Sequence, residues 1–306
     1  MTGGSGVVVL GSANMDLVVR QPRRAEPGET LFGTDFSTGP GGKGLNQAIA
    51  AARAGASVRF IGAVGTDAFA ERLRDRLVTD GVDVEGLRTV PGATGIAQIT
   101  VTDDGQNTIV VVPAANADRA FNADDRSTVA AASHLVVQLE RPIELLEVAL
   151  RHARDAGVTT VLTPAPARAG LDALLDLADV LVPNEGEAMM LSGRDDAESA
   201  AIELSRRAGT VIVTLGERGA LVARGGAVVR HVGARPARAV DTTAAGDTFV
   251  GVLVAWLADG RSLDDALEAA VAGAAITVTR AGAAESMPSR DEIDRALASP
   301  EATGEV

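Results

Sequence analysis

The sequence predicts an α/β protein: a mainly parallel central sheet with helices on both faces, plus a small separate β-sheet. Three observations carry this. Short, wholly apolar runs recur along the chain, as strands buried on both faces require. Amphipathic stretches of helical period separate several of them, the pattern of βαβ units. Two segments, 14–38 and 95–113, break the rhythm and hold strand-like runs with no crossover helix between them.

The elements follow in order. Buried strands are expected at Val7–Leu10 and Val58–Ile61, then at Leu135–Val137, Thr159–Leu162, Val180–Val182 and Val211–Thr214. Helices are expected at Asn46–Ala54, Phe69–Thr79, Pro142–Ala156 and Ala197–Ala208. Within 14–38, the apolar runs Leu17–Val19 and Leu31–Phe32 flank the turn-rich Gln21–Gly28. Residues 95–113 read as a hairpin, Ile96–Thr102 and Thr108–Val112 around Asp103-Asp104-Gly105, because Asp-Gly between apolar runs favours a tight turn. This small sheet suits either a lid over a site or a dimer contact. After Asp241 the chain reads as helical through Ala281, with a last helix at Arg290–Ala298.

Composition narrows the chemistry. There is no cysteine, so disulfides, thiolate nucleophiles, Fe–S clusters and Cys-ligated zinc are excluded. The three histidines, His134, His152 and His231, are far apart and form no metal-binding pair. A net charge of −13 with 2% aromatics argues against a nucleic-acid partner. No apolar run approaches the length of a membrane span, and the start carries no basic segment ahead of Val7–Leu10; a cytoplasmic location is the expectation. Of the 28 basic residues, all but Lys43 are arginine.

That lysine lies in Gly39-Pro-Gly-Gly-Lys-Gly-Leu-Asn46, a glycine-rich stretch opening onto an apolar helix. Such a stretch either caps the helix as a tight turn or brings a ligand close to the backbone. The retention of lysine here, where arginine serves everywhere else, favours a ligand that needs a compact ammonium. In Asp241-Thr-Thr-Ala-Ala-Gly-Asp-Thr-Phe249, the amides of Ala245, Gly246 and Asp247 open an apolar helix and could cradle a phosphoryl group. Asp247 would then accept a proton from an attacking hydroxyl, or would serve as an ordinary N-cap.

Asn184 and Glu187, three apart after a strand, suit a hydrated Mg²⁺ near phosphates or a capped turn. Thr214–Gly219 offers a glycine-bounded loop for a nucleotide. Asn14 and Asp16, at period two after the first strand, face one way and suit sugar hydroxyls or a turn.

Together these segments resemble the ribokinase-like (PfkB) family of carbohydrate kinases over nearly the whole chain. The resemblance runs through Gly11–Asp16, Pro27–Thr30, Gly41–Asn46, Thr94–Ala97, Gln138–Glu140, Pro164–Ala167, Pro183–Glu185, Thr214–Gly219 and Asp241–Phe249. It implies one domain over 1–306 with lid strands from about 14–38 and 95–113. It also implies ATP-dependent phosphorylation of the terminal hydroxyl of a pentose, D-ribose first among candidates, with Asp247 as base and Ala244, Ala245 and Gly246 in the anion hole. By the same resemblance Asn14, Asp16, Gly42, Lys43, Asn46 and Glu140 would hold the sugar, and Asn184, Thr214, Gly216, Gly219 and Gly246 the nucleotide. Mg²⁺ would lie near Asn184 and Glu187. A K⁺ site would fall on Asp241, Thr243, Thr277, Arg280, Gly282 and Ser286, mostly through carbonyls, and the lid would be shared across a homodimer. Two positions depart from the family pattern: Val271, where a polar residue near adenine is common, and Thr163, where Asn is frequent.

The alternatives are a kinase of the same fold acting on deoxyribose, a hexose or a nucleoside, and a non-catalytic sugar sensor. A nicotinamide dehydrogenase would need GxGxxG after the first strand, where Gly11-Ser-Ala-Asn stands instead.

Overall fold

The computed structural model describes residues 6–298; the glycine-rich start and residues 299–306 lie outside it. The chain begins with β1 (Val7–Leu10), β2 (Asn14–Gln21), β3 (Asp35–Gly41), α1 (Lys43–Arg53), β4 (Val58–Val64), α2 (Ala68–Thr79) and β5 (Leu87–Thr89). The hairpin β6 (Gly95–Thr102) and β7 (Asn107–Val112) leads to α3 (Ala123–Ala130), β8 (His134–Gln138), α4 (Ile143–Asp155), β9 (Thr159–Thr163) and α5 (Asp172–Leu175). Then come β10 (Val180–Leu181), α6 (Glu185–Ser192), α7 (Ala197–Leu204), β11 (Thr210–Thr214), β12 (Ala220–Arg224) and β13 (Ala227–Val232). Three helices close the chain: α8 (Ala245–Ala258), α9 (Leu263–Thr277) and α10 (Arg290–Ala298).

The large sheet has nine strands in the order β13-β12-β11-β10-β9-β8-β1-β4-β5. From β5 to β11 every pairing is parallel, and β12 and β13 add an antiparallel edge. Alternate residues of β1 feed two cores: Val7 and Val9 pack with α1, α8 and α9, and Val8 and Leu10 with α4 and α7. Layering on both faces is what the fully apolar strands demand. Strand order reverses around β1, which lies between β4 and β8, and in open α/β sheets a ligand cleft forms at the carboxyl ends beside such a reversal.

The second sheet has the order β3-β2-β6-β7. Its hairpin registers Ile96 against Val112 and Val101 against Asn107, around the Asp-Gly turn the sequence predicts. The Leu31–Phe32 run belongs to no strand, and Phe32 is 88% exposed; the strand that follows β2 is β3, whose pairing with β2 runs from Gly41↔Asn14 to Asp35↔Arg20.

Two other expectations change. The span from Asp241 to Ala281 is two helices, because Gly260 turns the chain at φ 77° and Ser262 caps α9 by accepting from the Asp265 amide. The antiparallel edge β12–β13 has no counterpart in the predicted strands; it turns at Gly225-Gly226, both at positive φ.

Candidate active site

The site gathers at the carboxyl ends of β1, β8, β9, β10 and β11, with the root of the lid sheet beside it. On one side, Gly42 precedes α1 at φ 93°, a backbone conformation suited to glycine, and gives the helix no side-chain cap. Instead the Glu140 carboxylate, following β8, accepts from the Lys43 amide at 3.1 Å and from the Ser12 hydroxyl at 2.5 Å, both on one oxygen. The other oxygen of Glu140 takes no part in these two bonds.

Asn14 is fully buried at the start of β2, and its Oδ1 accepts from Asn116 Nδ2 at 2.8 Å. Asn116 also exchanges hydrogen bonds with the Ala13 backbone, accepting from its amide and donating to its carbonyl, both at 3.1 Å. The Asn14 carboxamide oxygen is thereby committed to Asn116, and its NH₂ makes no hydrogen bond among the described residues. Asp16 lies half-buried two residues along. Burial, with Glu140 and Asp247 nearby, pushes its carboxyl up to about 7.

Asp247 stands in the first turn of α8. It is not the N-cap: Ala244 holds that position in the left-handed region (φ 60°), without a side-chain cap, and Asp247 is three residues in. Its carboxylate is buried and accepts two amide hydrogen bonds from adjacent residues of α1, Asn46 Nδ2 on one oxygen and Gln47 Nε2 on the other, each at 3.0 Å. Burial pushes its pKa up, while Lys43 and these two donors pull it back. Burial alone would lower the Lys43 ammonium, but Asp247, Glu140 and Glu187 outweigh it and hold the group above its ordinary value. Lys43 therefore remains a cation among carboxylates.

Beside Asp247, the Ala245 amide donates only weakly, to the Thr242 carbonyl at 3.3 Å, and Gly246 is exposed. The uncapped end of α8 thus presents amides and the positive end of the helix dipole to the cleft. Asn46 Oδ1 is buried without a hydrogen-bond partner among the described residues. Such an acceptor is costly unless something else satisfies it.

On the other side of the cleft the construction differs. Asn184 and Glu187 form a capping box on α6: Asn184 Oδ1 accepts from the Glu187 amide at 2.8 Å, and Glu187 Oε2 from the Asn184 amide at 2.9 Å. The carboxamide oxygen is thus committed to the cap, and Glu187 keeps one oxygen outside it. Burial raises the Glu187 carboxyl, partly opposed by the Asn184 amide and Lys43. After β11, Gly216–Arg218 form a single 3₁₀ turn, and Gly219 sits at φ 86° where a Cβ would overlap the Val232 carbonyl oxygen. Arg218 pairs with Glu185 at 2.6 Å and joins this loop to α6. Thr214 closes the strand and bridges to Asn184.

Asp241 draws two further segments together, accepting from the Thr243 amide at 2.9 Å and the Gly282 amide at 3.0 Å. Burial pushes its carboxyl up, but these bonds outweigh it and hold it below the usual range. The Thr277 carbonyl accepts from the Arg280 amide, and the Ser286 carbonyl from the Arg280 guanidinium at 3.5 Å. The Thr277 hydroxyl is buried against Thr248. Among the described residues no group of three or more His, Cys, Asp or Glu could hold a metal. Val271 is buried in the core on α9, and Thr163, ending β9, accepts from Gln47 at 3.4 Å.

The residues that sequence reasoning passes over are Ser12, Gln47 and Asn116. Ser12 lies within the Gly11–Asp16 segment and Gln47 directly follows Asn46 after the glycine-rich stretch; Asn116 has no such local signal.

A sheet with its reversal at β1, a buried carboxylate under an open helix end and a lid at the cleft fit a transferase that acts on small hydroxylated molecules. The profile described as "pfkB family carbohydrate kinase" matches residues 5–290, and the chain belongs to that family. It is 39% identical to the ribokinase of Haemophilus influenzae (94% of this chain, 96% of that one) and 40% identical to the ribokinase of Schizosaccharomyces pombe (94% and 96%). Among solved structures it resembles Arabidopsis thaliana ribokinase complexed with ribose and ATP, with a TM-score of 0.88 and 31% identity over 97% of this chain and 99% of that one. No helix among the described residues is long and apolar enough to cross a membrane.

Proposed function

We propose that this protein phosphorylates the terminal 5-hydroxyl of D-ribose with ATP, giving D-ribose 5-phosphate and ADP. The observation that carries this is the Asp247 carboxylate: buried, fixed on both oxygens by α1, and set in the open first turn of α8. The ribokinase relatives, one of them complexed with ribose and ATP, support the choice of acceptor.

The sugar lies between the lid root and α1. Asn14 donates to one hydroxyl through its free NH₂, and Asn46 Oδ1 accepts from another. Lys43, Asp16, Glu140 and the backbone at Gly42 complete the binding shell. The 5-hydroxyl attacks the γ-phosphorus in line, its proton passes to Asp247, and the bond from phosphorus to the β,γ-bridging oxygen breaks to release ADP. Amides of Ala245, Gly246 and Asp247, with Ala244 setting the turn, stabilise the charge on the transferred group. A base raised by burial is the stronger proton acceptor, provided it is ionised when the sugar binds.

The nucleotide lies along Thr214, Gly216, Gly219 and Asn184, up to Gly246. Mg²⁺ arrives with ATP and neutralises phosphate charge; the free oxygen of Glu187, beside Asn184, would hold it through its waters, a set that fits an ion that keeps its hydration. On the same reading K⁺, as activator, would be held by Asp241, Thr243, Thr277, Arg280, Gly282 and Ser286, mostly through backbone carbonyls. The lid would close over the sugar and pair with a second copy: β7 is an edge strand with Ile109, Val110, Val111 and Val112 all exposed.

A panel of acceptors with ATP, read as ADP formation with and without K⁺, tests this reading. D-Ribose should give the highest kcat/KM, and K⁺ should raise it. Preference for deoxyribose, a hexose or a nucleoside would reassign the acceptor, and sugar binding without ADP release would make the protein a sensor.

A further inference from the structure

Asp247 is oriented from behind as well as used from in front. Gln47 Nε2 donates to its Oδ1 at 3.0 Å and lies 3.4 Å from the Thr163 hydroxyl. Gln47 Oε1 accepts from Gln138 Nε2 at 2.6 Å. Gln47 and Gln138 are both almost completely buried, on α1 and at the end of β8, 91 residues apart in sequence. This gives a directed chain of amides, Gln138 to Gln47 to Asp247. Because Gln138 offers Gln47 a donor, only the oxygen of Gln47 can face it, and only the NH₂ can face Asp247.

The direction carries a cost at its far end. Gln138 Oε1 is buried without a hydrogen-bond partner among the described residues, packed against Gly11, where a side chain would collide with it. Turning the Gln138 amide over would set its oxygen against that of Gln47 and reverse the chain. An unmade bond deep in a protein is kept where the rest of a network depends on it.

Resting on the reading of Asp247 as the base, we propose that Gln47 is a positioning residue, held in one amide orientation by Gln138, that fixes the Asp247 carboxylate for proton transfer from the sugar. Neither glutamine needs to touch substrate. The charged groups that face Asp247 are Lys43 on α1, Asp16 on β2, Glu140 after β8 and Glu187 on α6. Lys43 is the one cation among them; beside it, the neutral donors Gln47 and Asn46 pull the Asp247 carboxyl back down against its burial.

The experiment is the pH dependence of kcat for Gln47→Met and Gln138→Leu, singly and together. Gln47→Met keeps the shape and removes the donor, so kcat should fall about tenfold, in line with a hydrogen bond to a charged group. Its acid limb should move up by roughly half to one pH unit while the sugar KM stays within about twofold. Gln138→Leu should shift the limb the same way by less, and should cost nothing further in the Gln47→Met background, because it acts through Gln47. If Gln47→Met does not fold, Gln47→Glu replaces it; a second carboxyl beside Asp247 must move the limb at least as far. An unmoved acid limb, or a Gln138→Leu loss equal in both backgrounds, overturns the proposal. Should Asp247→Asn keep its turnover, the reading of the base fails and this proposal with it; an inert Asp247→Asn beside a wild-type profile in Gln47→Met overturns this proposal alone.

Discussion

The two halves of the cleft are built on opposite plans. On the acceptor side, Asn46 and Gln47 bond Asp247 and Asn116 bonds Asn14, all buried side-chain hydrogen bonds that span 102 to 201 residues of sequence. On the nucleotide side, Asn184 and Glu187 bond chiefly to each other across three residues, and Gly216 to Arg218 stand exposed. The first plan fixes a geometry in advance, at the cost of crowding carboxyl groups around one ammonium. The second leaves amides and loops exposed, as the proposed site for ATP with its Mg²⁺ requires. Chemistry and sugar selection should therefore depend on the first half, and ATP affinity on the second.

The largest test of this division is Asp247→Asn. Turnover should fall by a factor of about 10² or more, with ATP affinity, measured by calorimetry, nearly unchanged. Next comes Lys43→Arg, which keeps the charge but replaces a compact ammonium by a planar fork in a tight loop; the sugar KM should rise roughly tenfold and the ATP KM should hold. A shift of the ATP KM alone would dissolve the boundary between the halves. On the nucleotide side, Gly219→Ala forces a Cβ into the Val232 carbonyl at a positive φ, strain of about 1–3 kcal/mol. The ATP KM should rise several-fold while the sugar KM stays, and thermal unfolding should come earlier.

The smallest effect is on stability. The folded chain holds the Asp16 proton more tightly than the unfolded chain does, with a pKa raised to about 7. This contribution is complete below the ordinary carboxylate range and is lost as pH rises towards that value. Asp16→Asn should therefore unfold at a higher temperature than wild type near pH 8, with the gap closing near pH 4, while sugar binding weakens. An equal gap at both pH values would show that burial does not hold Asp16 protonated.

The same contrast explains what could be read from the sequence. Apolar strands and the Asp-Gly hairpin are local patterns, and the parallel sheet and the β6–β7 hairpin form where those patterns place them. Lys43 stood out because arginine fills every other basic position. The wiring behind Asp247 was illegible because Gln47 and Gln138 meet only once β8 and α1 pack together. The position of Asp247 inside α8, not at its cap, depends on Ala244 adopting a left-handed backbone, which alanine seldom does. Leu31–Phe32 misled for the opposite reason: an apolar pair implies burial, yet Phe32 lies at the surface.

The central claim is that this buried half presents the terminal hydroxyl of a pentose to Asp247. It is tested most directly by identifying the product formed from ATP and D-ribose by phosphorus NMR, with coupling to the sugar protons. A single phosphomonoester coupled to the two C5 protons, absent from the Asp247→Asn reaction, is the predicted result. Phosphate on another hydroxyl, or the same product at an undiminished rate from the variant, would contradict it.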